Sequence, residues 1–83
     1  MGFQKGGTKV MRVRYAVVIE KAQNNYAAYV PDLDGCVATG KTIEEAERLI
    51  RQAIELHLRA MKEIGEPIPT PTSLAREVEV SAA

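Results

Sequence analysis

Residues 42–67 read TIEEAERLIRQAIELHLRAMKEIGEP, and this stretch predicts one long helix. Thr42 and Glu45 form a capping box, in which the threonine hydroxyl accepts from the Glu45 amide while the Glu45 side chain reaches back. Glu44, Glu45 and Glu47 suit the positive end of the helix dipole. As far as Ile64 the apolar positions Ile43, Ala46, Ile50, Ala53, Ile54, Ala60, Met61 and Ile64 share one broad stripe, opposite Glu44, Arg48, Arg51, Glu55, Arg59 and Lys62. Gly65 and Pro67 close the helix as a C-terminal cap and a stop, after a length of about 33 Å. The other segments read as strands, turns and tail. One helix must therefore serve a whole sheet, and it can cover only one face of it.

The strands come first. Residues 10–20, VMRVRYAVVIE, put Val13, Tyr15, Val17 and Ile19 on one face, with Arg12, Arg14, Ala16, Val18 and Glu20 on the other. KAQNN then supplies asparagines able to take the left-handed conformation of a tight hairpin, before YAAYV resumes an extended pattern. Pro31 stops the second strand because it lacks a ladder donor, and Gly35 in PDLDG can take positive φ. CVATG makes a third strand, completing a meander. After the helix, EPIPTPTS is stiffened by alternating prolines. LAREVEVSA then alternates Val78 and Val80 with Glu77 and Glu79, which predicts a fourth short strand. The expected fold class is α+β: a three-stranded antiparallel meander, one long amphipathic helix and a fourth short strand, β-β-β-α-β. Residues 1–9 read as a glycine-rich flexible tail and residues 10–83 as a single domain.

Composition excludes several classes. Eleven Lys and Arg balance eleven Asp and Glu, so the counterion release that drives phosphate-backbone binding has little charge behind it. Arg12 and Arg14, with Lys9 upstream, are the one candidate basic strip, against a solvated strand edge. A single cysteine rules out an internal disulfide or a thiolate zinc cluster within one chain, which fits a reducing compartment. No apolar run reaches the roughly 20 residues of a membrane span. The expected localisation is cytoplasmic.

The chemical candidates each have a structural alternative. Asp32 and Asp34, with Glu20 or Glu44, are the candidate ligands for a hard cation. Aspartates also favour turns for their local backbone hydrogen bonds, and glutamates favour helix starts, so the structural explanation is preferred. His57 lies in the middle of the apolar stripe and reads as a partly buried residue rather than a general base. Cys36 reads as a small buried hydrophobe, with no lysine or histidine nearby in sequence to activate it. No phosphate-cradling glycine pattern is present. No catalytic residue, cofactor or metal is expected, and the chain reads as a non-enzyme.

What remains is surface. The uncovered sheet face carries Ala16 and Val18, with either Ala27 and Tyr29 or Tyr26 and Ala28 from the paired strand. This is too apolar for water alone, and cover by another protein recovers about 25 cal/mol per Å². The interface candidates are Ala16, Val18, Ala27 and Tyr29.

The order of residues from 15 to 72 resembles the HicB-like antitoxin family. The shared pattern consists of Tyr26, Ala28, Pro31-Asp32-Leu33, Gly35-Cys36, Gly40, Thr42, Glu45-Ala46 and Gly65-Glu66-Pro67-Ile68-Pro69. The resemblance implies a reduced ribonuclease H-like β-β-β-α-β fold without the catalytic carboxylates, and a homo-oligomer, dimer or tetramer. It also implies a protein partner, a HicA-type mRNA-cleaving toxin whose catalytic histidine is masked by steric occlusion, with no cofactor. Two departures stand out. The family usually has proline where this chain has Asp34. Eleven residues follow Thr72, too few for the DNA-binding segment many relatives carry, so direct DNA binding is not expected. Two alternatives belong to other classes: a degenerate ribonuclease H-like metal-dependent nuclease using Asp32 and Asp34, and a structural oligomer without a toxin partner.

Overall fold

A computed structural model describes residues 12–83. The tail at 1–9 and the first two residues of the expected first strand lie outside the described residues. Three strands form an antiparallel sheet in the order β1-β2-β3: β1 (Val18–Lys21), β2 (Tyr26–Tyr29) and β3 (Val37–Gly40). One helix, α1 (Ile43–Glu63), follows. The fold is α+β, as the patterning predicts.

β1 is shorter than the alternation in residues 10–20 predicts, and the cause lies in the chain opposite. The ladder pairs Val18 with Tyr29 and Lys21 with Tyr26. One step further it would pair Val17 with Val30. That pair would carry no ladder bonds, because the Val30 amide and carbonyl face away from β1, the amide donating to the Cys36 carbonyl at 3.3 Å and the carbonyl accepting from Leu33 at 3.1 Å. Next comes Pro31, with no amide to offer. Residues 12–17 therefore run on without a ladder partner among the described residues.

Two successive turns carry the chain from β2 to β3. Pro31 occupies the second position of the turn closed by Leu33 and Val30. The next turn is closed by the Cys36 amide and the Leu33 carbonyl at 3.2 Å, with Gly35 at φ +75° in its third position, the signature of a type II turn. The β1–β2 hairpin does not use the left-handed asparagines expected of it. No described non-glycine residue has positive φ, and the Ala22 amide closes a wider loop by donating to Asn25 at 2.8 Å.

The helix is seated by Gly40. A Cβ built there would lie 2.5 Å from the Ala46 nitrogen and 2.9 Å from the Glu45 carbonyl carbon, so only glycine lets the first turn of α1 press onto β3. Thr42 caps the helix by accepting from the Glu45 amide at 3.0 Å, and Glu45 Oε1 accepts from the Lys41 amide at 2.6 Å. At the other end Gly65, at φ +79°, and Glu66 donate to the Lys62 and Met61 carbonyls, a Schellman closure.

Ala28, Val30, Leu33, Cys36, Ala46 and Ile50 form the core, flanked by Tyr15, Val17, Ile19, Tyr26, Ala38, Ala53, Ile54 and Leu58. The apolar stripe is covered only in its middle: Ala46, Ile50, Ala53 and Ile54 pack in or against the core, while Ile43 before them and Ala60 and Ile64 after them are exposed. Strands of four residues span about 13 Å and a 21-residue helix about 32 Å, so the last turns of α1 overhang the sheet.

The fourth strand is not formed. The proline-rich exit is held by the Tyr15 hydroxyl, which donates to the Pro69 carbonyl at 2.6 Å, and by Asp32. Beyond it Leu74, Val78 and Val80 are about three-quarters exposed. A strand needs a neighbour to satisfy its amides and carbonyls, and among the described residues none is in place for this segment.

Two substitutions test these local arguments. Gly40→Ala is expected to lower stability by about 1–3 kcal/mol in denaturant unfolding, because the clash is with helix backbone. Asp34→Pro is expected to raise it by about 0.4–1 kcal/mol, since Asp34 holds the proline-favouring second position of the type II turn and its amide closes neither turn.

Candidate interaction surface

Alternation along the strands sorts the sheet into two faces. The row Ile19, Ala28, Ala38 points to α1 and is packed in the core. The row Val18, Tyr29, Val37 points away from it, beside a second row of Glu20, Ala27 and Thr39. The register thus resolves the open choice for β2: Ala27 and Tyr29 are outside, Tyr26 and Ala28 inside. Ala16 and Val18 are half-buried, as is Ala27, while Tyr29 is 38% and Val37 65% exposed. The four interface candidates lie on or beside one uncovered surface. Val37 joins them, and the sequence reading missed it because only the pairing of β3 with β2 places it next to Tyr29.

The acidic cluster is divided. The Asp32 carboxylate accepts from four groups: the Thr72 amide at 2.9 Å, the Thr72 hydroxyl at 3.1 Å, the Ser73 amide at 3.0 Å and the Ser73 hydroxyl at 2.8 Å. This replaces the expected local turn bond by a latch across 40 residues of chain. Asp34 is exposed on the turn. Among the described residues no three His, Cys, Asp or Glu side chains converge as a metal site would require. The carboxylate that anchors the nuclease alternative is thus already filled by donors from the same chain.

The electrostatics follow from this geometry. Hydrogen bonds from Ser73 and Thr72 stabilise the anion and lower the Asp32 pKa from 3.8 to about 2. Burial raises the Tyr15 phenol, and the nearby Asp32 charge adds to the effect. Cys36 is 4% exposed and burial raises its thiol, which leaves it a core hydrophobe as expected. His57 is half-buried on α1, and no side-chain hydrogen bond engages it among the described residues.

A second feature is a groove of about 970 Å³ between residues 12–19 and α1. Val13, Val17, Ile50, Ile54 and Leu58 supply its apolar wall, and Arg12, Arg14, Arg51, Glu47 and Glu55 line it as well. The basic strip is thus interleaved with helix carboxylates, not displayed as a uniform positive field.

Because the folded Asp32 pKa lies below its ordinary value, the latch contributes stability above pH 3.8 and loses it as pH falls through about 2. The Thr72 and Ser73 amide proton shifts are expected to titrate near pH 2, and Asp32→Ala to abolish that titration. A midpoint near 3.8 in the unaltered chain would show the latch unmade.

The family model described as HicB-like antitoxin of bacterial toxin–antitoxin systems matches residues 15–82. A UPF0150 protein of Helicobacter pylori is 61% identical over 41 residues, which cover 49% of this chain and 57% of the relative. An uncharacterized 14.9 kDa protein of Haemophilus phage HP1 is 38% identical over 55 residues, 66% of this chain and 41% of the relative. The match thus spans between about two fifths and three fifths of these two relatives. A UPF0150 protein of Thermoplasma acidophilum is 37% identical over 71 residues, 84% of this chain and the whole of the relative. No solved structure matches. With its β-β-β-α order, its double turn into β3 and a family match running from Tyr15 past the proline exit, this chain belongs to the HicB-like antitoxin family.

Proposed function

We propose that this chain neutralises a HicA-type mRNA-cleaving toxin by laying the outer face of its sheet over the toxin's RNA site, masking the catalytic histidine. One observation carries the reading: in a HicB-like domain, the row Val18, Tyr29, Val37 lies apolar and uncovered on the face opposite α1. Fully covering a valine or an aromatic side chain is worth about 1.5–3 kcal/mol each, and Tyr29 adds a hydroxyl for a rim hydrogen bond. Glu20 and Thr39 border the row and suit a basic, RNA-binding partner. Occlusion of this kind is binding, not catalysis. It needs no cofactor, and it acts where the mRNA is, in the cytoplasm. No helix among the described residues is long and apolar enough to cross a membrane.

The toxin to test is the product of a short, basic reading frame beside this gene. Co-expression is expected to restore growth and give a complex that co-elutes. Tyr29→Lys and Val37→Lys are each expected to weaken binding at least about thirtyfold while circular dichroism stays unchanged. Failure of the unaltered chain to bind or inhibit the toxin contradicts the reading, as does full inhibition by both variants.

A further inference from the structure

We propose that two copies of this chain exchange their C-terminal arms, residues 76–80 of one copy adding a strand beside residues 12–15 of the other. The occupant of the open edge is a second copy because the two segments complement each other residue by residue. The edge reads Arg12, Val13, Arg14, and the arm reads Glu77, Val78, Glu79. With Val78 opposite Val13, both arginines meet both glutamates whether the strands run parallel or antiparallel. Like-sign charges never face each other.

Three structural observations place this exchange. Residues 12–17 continue from β1 without a ladder partner among the described residues, because Pro31, the next residue whose amide would face β1, has none. The arm leaves the body at that edge: Ser73, Leu74 and Ala75 share a small cleft with Arg14, Tyr15 and Ala16. The Asp32 latch and the bond from Tyr15 to Pro69 fix the point of departure. Past the cleft the arm gains no cover from its own copy, with Val78 at 78% and Val80 at 75% exposure. The family match runs to residue 82, so the arm belongs to the domain.

The exchange would also fill the groove. Val13 lines it together with Ile54 and Leu58, and Arg12 and Arg14 line it too, so an arm strand beside residues 12–14 brings Val78 to Val13 and Glu77 and Glu79 to the two arginines. Each copy then recovers the missing fourth strand, supplied from outside. The inference is independent of the toxin reading, since it uses the edge and the groove, not the outer row.

Light scattering after size exclusion tests it directly. The full chain is expected to be a dimer at 10 µM (about that order, in the range where standard interfaces persist), and a chain ending at Ala75 a folded monomer by circular dichroism. Arg12→Glu/Arg14→Glu and Glu77→Arg/Glu79→Arg are each expected to weaken the dimer at least about tenfold. Mixing the two variants is expected to restore dimers containing one of each. A full chain that is monomeric at that concentration overturns the proposal. So does a dimer that survives removal of the arm, or a mixture of charge-reversed chains that fails to associate.

Discussion

The contact between Gly40 and the first turn of α1 sets the geometry on which the other features depend. With no side chain at Gly40, the backbone of Glu45 and Ala46 comes down onto β3 at a distance a Cβ would forbid. The capping box holds that turn in place at the moment of contact, through Thr42 on one side and the Glu45 carboxylate on the other. From this anchor the helix is committed to one side of the sheet, where Ala46 and Ile50 are almost wholly buried. Among the described residues no element is left to cover the opposite face. In a larger α+β domain a second helix would do so; here the apolar row Val18, Tyr29, Val37 is left for a partner.

The double turn between β2 and β3 is the second organising element, and it acts at a distance. By bending the chain at Pro31, which has no amide to offer β1, it ends the β1–β2 ladder and leaves residues 12–17 without a ladder partner among the described residues. The same turn presents Asp32, whose carboxylate gathers two amides and two hydroxyls from Thr72 and Ser73 and so fixes where the C-terminal segment leaves the body. A single seven-residue corner thus shapes the edge of the sheet and aims the chain that departs beside it.

How much of this was legible in the sequence depends on the range of the interaction. The helix was readable at both ends, because its cap uses Thr42 and Glu45 three residues apart and its closure uses Gly65 next to the last turn. The turn at Gly35 was readable for the same reason. Strand lengths were not, since the end of β1 is decided by where Pro31 and the turn after it break the strand across the sheet. The role of Asp32 was missed because its partners lie 40 residues on, and a local turn bond was a sufficient reason for an aspartate there. Alternation in the arm predicted a strand that the structure does not form, because alternation alone supplies no neighbour. Period-two reasoning set Ala16, Val18, Ala27 and Tyr29 on the side away from α1, whereas placing Val37 beside them needed the β2–β3 register.

The central claim is that the uncovered outer face of the sheet is where a toxin docks. Methyl cross-saturation in a labelled complex with a HicA-type toxin tests it most directly. The account predicts transfer to the methyls of Val18, Ala27 and Val37, and none to Leu56 or Ala60 on the exposed side of α1. Transfer confined to the helix, with the three sheet residues untouched, would contradict it.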